Sequence, residues 1–317
     1  MMKAIVVRNF DEGPKFETNY PTPSEQADEV IINVLSSSLS NRARSSATGQ
    51  HYTATGKLPM VPGIDGVGTL PNGKKVYFVA DGSFAEQVAV EKGHWVELPS
   101  SVNDSKVAGL MNPALSAWMA LKYRVNFKKH QKVMILGASG NAGKVAIQVA
   151  QRLGAGEIVA VGRHIEQAEL SALGATQVIE LDQEAAMVKQ ALALAGQDID
   201  VVLDYLWGEV TANAMWAIIP HRNDDEQELK WVSIGTAAGQ TASLPGAAFR
   251  AVKLQLIGSG QGSIGVHDII KSFKEILQSE SQQPFSFVFK QVPLDDFEEA
   301  WQEKGTKRIV FEVRHSK

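Results

Sequence analysis

Residues 133–155 read VMILGASGNAGKVAIQVAQRLGA: an apolar run, three glycines spaced by three, then apolar residues at helical period. The run Val133–Leu136 is short enough for a buried strand. Val145, Val149 and Leu153 with Ala146 and Ala150 form one face of the helix expected after it. At such a turn Gly137 permits the sharp bend, Gly140 lets the backbone approach a pyrophosphate, and Gly143 packs helix against strand. Backbone N–H groups of Asn141, Ala142 and Gly143 at the helix start, aided by the helix dipole, suit an anion, and Ser139 and Asn141 can add side-chain donors. The competing reading is a tight strand-to-helix turn with no ligand.

Outward from this stretch the chain changes texture twice. Residues 1–112 alternate in short stretches such as EVIINVLSSSL and FAEQVAVEKGHWVEL, broken by Pro and Gly turns, and predict a β-rich barrel or sandwich. From residue 113 helical patterns alternate with the compact strands VMILGA, IVAVG, IDVVLDYL, KWVSIGT and LQLIGSG, the pattern of βαβ units on a parallel sheet. The β texture returns in FSFVFKQVPL and RIVFEV, flanking the short helix LDDFEEAWQE. The expected division is therefore 1–112 with 275–317 as one domain, and 113–274 inserted as the other. The hydrophilic stretch PHRNDDEQELK at 220–230 reads as a solvated surface loop.

Composition narrows the chemistry. The chain has 317 residues, 44% hydrophobic and 21% charged, with a formal net charge of −4 of mixed sign, so nothing suggests nucleic acid or an anionic membrane as partner. No apolar run is long enough to span a bilayer and the N-terminus lacks a secretory h-region. Zero cysteines excludes disulfides, thiolate nucleophiles and cysteine-held zinc, and fits a cytoplasmic location. The seven histidines have no metal-ligand spacing and no G-x-S-x-G elbow occurs, so any redox chemistry must use a bound organic cofactor.

Loops at the carboxyl ends of parallel strands line the ligand crevice of such a sheet. That rule adds Tyr205 after IDVVLD, Gly235 and Thr236 after KWVSI, and Gly258, Ser259 and Gly260 after LQLI to the candidate cofactor residues. Gly260-Gln-Gly262-Ser-Ile-Gly265 is a literal G-x-G-x-x-G, but only one helix follows before β texture returns, so it reads as the loop of a late strand. The strand EIVAVGRH ends where a dinucleotide fold reads the adenosine ribose. Arg163 and His164 stand there in place of an acid, which favours a 2′-phosphate, hence NADPH, unless Arg163 is merely solvated.

With these features in place the chain resembles the medium-chain dehydrogenase/reductase superfamily, in its zinc-free quinone oxidoreductase and enone reductase branch. The resemblance rests on LPMVPGIDGVGTL, DGSFAEQVAV, MNPALSAWMAL, ILGASGNAGKVAIQVAQRLGA, LSALGATQVIE, IDVVLDYLWGE, VSIGT and VPLDDFEEAWQEKGTKRIVFEV. It implies a GroES-like β-barrel domain with an inserted Rossmann doubly wound parallel sheet. Zinc-dependent relatives carry Gly-His-Glu where this chain reads Gly63-Ile64-Asp65, so the resemblance implies no metal. Similar reductases commonly hold the 2′-phosphate with a lysine where this chain has Glu166, and with a tyrosine in the stretch that here reads VIELD. Arg163 and His164 then have to serve instead.

The implied reaction is hydride delivery from NADPH to a quinone or an α,β-unsaturated carbonyl, with a donor near the carbonyl oxygen as charge develops. Asn41 and Tyr52 fall where similar reductases have such groups. Alternatively Asn41 caps a turn and Tyr52 packs half-buried. Asp65 either orders the site by hydrogen bonding or satisfies backbone N–H groups of its own turn. Two other functions remain open: an NADPH-binding sensor or structural protein without turnover, and a metal-free carbonyl reductase or alcohol dehydrogenase. The apolar strand AVKLQLIGSG predicts a homodimer through a sheet edge.

Overall fold

The structure is a computed structural model, described for residues 1–51, 55–260, 262–303 and 307–315. In chain order it runs β1 (Met2–Val7), β2 (Pro14–Tyr20), β3 (Glu29–Ser38), α1 (Asn41–Ala47), β4 (Asp65–Thr69), β5 (Lys75–Val79), β6 (Gln87–Glu91), β7 (Trp95–Glu97) and α2 (Asp104–Met119). There follow β8 (Lys132–Leu136), α3 (Asn141–Arg152), β9 (Glu157–Gly162), α4 (Gln167–Ala172), β10 (Gln177–Glu180), α5 (Ala185–Ala195), β11 (Val201–Asp204) and α6 (Gly208–Ile218). The chain closes with β12 (Leu229–Ser233), α7 (Ala248–Ala251), β13 (Leu254–Gly258), α8 (Val266–Gln282), β14 (Phe289–Pro293), α9 (Phe297–Gln302) and β15 (Arg308–Glu312). No described helix is long and apolar enough to cross a membrane. Two compact units form, one from Met1–Asn112 with Ile270–Lys317 and one from Pro113–Ile269.

The first unit contains a sheet ordered β14-β15-β3-β4-β5-β7, with β6 also paired to β3, and a separate β1-β2 ribbon. Alternation along β3 sends Ile32 and Val34 into a core with Phe78, Phe84, Phe311 and Ile309. Each fully buried aliphatic side chain there contributes about 1.5–3 kcal/mol. Phe84 packs edge-on against Phe311, ring centroids 5.1 Å apart, so the C-terminal strand is tied into the N-terminal sheet.

The second unit is a six-stranded parallel sheet ordered β10-β9-β8-β11-β12-β13. Helices cover both faces of a doubly wound sheet, so its inner strands read as continuous apolar runs: β8 is buried from Val133 to Leu136 and β11 throughout. β10 is the strand absent from the sequence-based set. Its four residues are half polar, and only parallel pairing with Val159–Gly162 makes it a strand. β13 pairs β12 alone and has no buried residue, only half-buried and exposed ones, as an edge does. The strand order reverses between β8 and β11, whose carboxyl ends therefore diverge around the crevice where such sheets hold ligands.

Candidate functional site

At the end of β8 the chain turns on Gly137, whose φ of +92° is in the left-handed region that favours glycine. The amides of Gly137 and Ala138 both donate to Val161 O, at 2.8 and 2.9 Å, which fixes the turn to the neighbouring strand. A Cβ on Gly143 would come 2.2 Å from Gly137 O and 2.6 Å from Ala138 Cα, so only glycine lets α3 pack this closely. A Cβ on Gly140 would meet nothing nearer than Gly137 O at 3.4 Å. Gly140 is the N-cap of α3 and supplies no side-chain acceptor, so the helix opens with its first-turn N–H groups uncapped by a side chain. The α3 face is broader than the sequence pattern: Ile147 and Gln148 are buried with Val145, Ala146, Val149 and Ala150.

Ser139 lies over the end of β9, where a Cβ on Gly162 would meet its Oγ at 2.8 Å. Arg163 and His164 follow at the rim, both exposed. They share one carboxylate: Asp182 lies 3.6 Å from Arg163 Nε and 3.1 Å from His164 Nδ1, and it accepts the His164 backbone N–H at 2.8 Å. Lys144, in the first turn of α3, is paired with Glu169 at 2.7 Å.

The ends of β11 and β12 are built around Asp204. Its fully buried carboxylate accepts the backbone amides of Leu206 and Trp207, each at 2.9 Å, the Thr211 hydroxyl at 2.6 Å and the Trp231 indole N–H at 2.9 Å. That network holds a turn in which Trp207 has φ +57°, an uncommon value for a bulky residue. Tyr205 projects from this turn, its hydroxyl 3.0 Å from Ser116 Oγ, and burial pushes its phenol pKa up. Gly235 donates to Asp204 O at 3.1 Å, and a Cβ there would lie 2.8 Å from Tyr205 O. Thr236 follows it in the same loop. Gly258, Ser259 and Gly260 close the row at the end of β13. Arg124 donates to Gly258 O at 2.8 Å, and Ser259 donates its amide to Ser233 O at 2.9 Å. Ser259 Oγ is buried without a hydrogen-bond partner among the described residues.

The cofactor residues expected from sequence thus all stand on one edge of the parallel sheet. Asp182, Asp204 and Arg124 complete that edge and were missed. Asp204 and Arg124 act on backbone groups, which no side-chain motif announces. Asp182 closes VIELD just beyond β10, a strand that the sequence pattern does not announce.

In the first unit Asn41 opens α1 and is exposed; Ser40, not Asn41, caps that helix, accepting Ala43 N–H at 3.0 Å. Tyr52 lies outside the described residues. Among the described residues the Asp65 side chain accepts from no N–H of its own turn. Its Oδ2 accepts the Tyr77 hydroxyl at 2.8 Å, both residues are buried, and Oδ1 has no hydrogen-bond partner among the described residues. Burial pushes the Asp65 carboxyl up to about 6, against the opposing pull of the Tyr77 hydrogen bond and of Arg308 and Arg42. Among the described residues no group of three or more His, Asp or Glu could hold a metal ion.

No family model matches the chain. A protein of Emericella nidulans named probable NADPH-dependent quinone reductase is 27% identical over 98% of this chain and 99% of its own length. The 2-methylene-furan-3-one reductase of Solanum lycopersicum is 26% identical over 54% of this chain and 49% of its own. Among solved structures, the quinone oxidoreductase of Thermus thermophilus, also solved in complex with NADPH, has a TM-score of 0.82 at 23% identity, covering 98% of this chain and 100% of that one. The two-unit architecture is therefore shared across full chain lengths, and the glycine turn sits within it at the switch point of the parallel sheet. The chain is thus similar over nearly its whole length to a protein named as a quinone reductase and has the fold of solved quinone oxidoreductases, which supports an oxidoreductase.

Proposed function

We propose that the chain is an NADPH-dependent, metal-independent reductase of quinones or of the activated C=C bond of α,β-unsaturated carbonyls. The observation that carries this is the opening of α3: uncapped by any side chain, closed to substitution at Gly143 and open at Gly140. That is the shape and polarity a pyrophosphate requires. Ser259 Oγ, buried and unpartnered at the end of β13, is a second polar group fitted to a ligand on the same edge.

When bound, NADPH supplies the hydride. The residues that hold it in this reading are Gly137, Ser139, Gly140, Asn141, Ala142 and Gly143 at the phosphates, with Arg163 and His164 at the 2′-phosphate. Tyr205, Gly235, Thr236, Gly258, Ser259 and Gly260 line the rest of the row. Asn41 and Tyr52 serve as donors that orient the acceptor's carbonyl oxygen and stabilise the charge developing on it. Metal independence is supported by the lack of any cysteine and by Ile64 preceding Asp65, which leaves no thiolate or imidazole ligand there. We also assign a homodimer to the exposed edge of β13, where Leu256 is 38% exposed.

The test is oxidation of NADPH, with NADH in parallel, against one simple quinone and one α,β-unsaturated ketone, with product analysis. Turnover that leaves the ketone carbonyl intact supports the reading. Reduction at C=O, or tight NADPH binding with no turnover on either acceptor, overturns it. A monomer by light scattering at micromolar concentration overturns the dimer.

A further inference from the structure

The rim beyond β9 carries basic side chains, as a 2′-phosphate reader should, yet each already faces an acid. Lys144 is held by Glu169 at 2.7 Å, and Arg163 and His164 both face Asp182. The Asp182 carboxylate is not a free-swinging surface group. It is anchored by the His164 backbone N–H at 2.8 Å, and Leu181 donates to Gly162 O at 2.7 Å, fixing the strand end that carries it. Arg163, by contrast, has a side chain 65% exposed and can reorient at little cost. Any anion taken up by Arg163 therefore arrives beside a negative charge that stays in place.

We propose that Asp182 is a specificity-determining residue of the dinucleotide site: held by the His164 amide, its carboxylate offsets the Arg163 cation and narrows the preference for NADPH over NADH. The inference rests on the reading of Arg163 as the 2′-phosphate ligand. The 2′-phosphate is close to a dianion at neutral pH, whereas the free 2′-hydroxyl of NADH is uncharged, so a fixed carboxylate penalises only the former. Asp182 sits at the end of β10, one strand beyond the β9 end where such folds ordinarily read this ribose.

The experiment measures dissociation constants of NADPH and NADH by calorimetry for the wild-type chain and for Asp182→Asn, Arg163→Ala and the double variant. Asparagine keeps an oxygen for the His164 amide and removes only the charge. Asp182→Asn is expected to tighten NADPH by about fivefold, as removal of a nearby like charge should, while NADH changes less than twofold. The gain should shrink at 0.5 M salt, which a purely structural role would not produce. It should be smaller in the Arg163→Ala background, where no guanidinium remains to be released and only the direct repulsion between carboxylate and phosphate is relieved. An unchanged ratio of the two constants, or an equal change in both, overturns the inference and leaves the reductase reading intact. A wild-type chain that binds neither dinucleotide overturns both.

Discussion

The carboxylate of Asp204 accepts the indole N–H of Trp231 across two adjacent parallel strands, at 2.9 Å and wholly out of solvent. The same carboxylate also receives Leu206 N, Trp207 N and the Thr211 hydroxyl, so one side chain satisfies four buried or half-buried donors. Asp204→Ala strands all four. Even with partial relaxation this should cost about 3–5 kcal/mol, since each unpaired buried donor costs about 1–3 kcal/mol. Urea unfolding would measure it, and a loss below about 1 kcal/mol would show that the network carries little.

Gly140 and Gly143 are three residues apart in one turn, and the structure separates their roles. Gly143→Ala drives a Cβ into backbone at 2.2 Å and should lower stability by more than about 2 kcal/mol, with dinucleotide binding lost as a consequence. Gly140 has φ −77° and room for a methyl group, so Gly140→Ala should fold with an unchanged melting temperature. Its methyl group would nevertheless occupy the space left for a phosphate, weakening NADPH binding by on the order of tenfold or more. Equal loss of stability in both variants would contradict this division.

Burial raises the Asp65 carboxyl to about 6, from its ordinary value of 3.8. The folded state thus holds a proton that the unfolded state has already released between pH 4 and 6. Stability consequently falls as pH rises through that window, by on the order of 2–3 kcal/mol, the reverse of a salt-bridged acid. Asp65→Asn still accepts from the Tyr77 hydroxyl but cannot ionise. Its unfolding free energy should lose this component between pH 4 and 6, and a wild-type curve parallel to that of the variant would refute the assignment.

The sequence made the sheet legible where local pattern and tertiary structure agree. The glycine turn at 137–143, the apolar runs of β8 and β11 and the amphipathic α3 are specified by residues that are neighbours in the chain. β10 was not legible, because its four residues become a strand only beside Val159–Gly162. At Asp65 the sequence left two readings, a hydrogen bond that orders the site or N–H groups of its own turn. A Gly-rich turn suggested local N–H partners, whereas the actual partner, Tyr77, lies on the next strand. Asp204 and Arg124 act on backbone groups that only the folded chain brings to them.

The hydrophilic segment 220–230 reads as a solvated loop by composition, yet Arg222 within it is buried, with 8% of its surface exposed. Its guanidinium donates to Ile199 O at 2.6 Å, Gly196 O at 3.1 Å and Gln227 O at 3.3 Å. Gly196 follows the last residue of α5, so the arginine brings positive charge and hydrogen bonds to carbonyls at a helix C-terminus while pinning the loop ahead of β12. Burial lowers the Arg222 pKa, but an arginine starts high enough to stay charged. Arg222→Lys keeps the charge but loses the planar fork, and should destabilise by about 1–2 kcal/mol. Arg222→Ala strands three carbonyls and should cost about 3 kcal/mol. Neither should alter dinucleotide affinity at a temperature where the variant is folded, because no atom of the glycine turn is touched. Hydrogen exchange would locate the loss: amides of residues 223–230 should exchange faster in both variants while those of β8 stay protected.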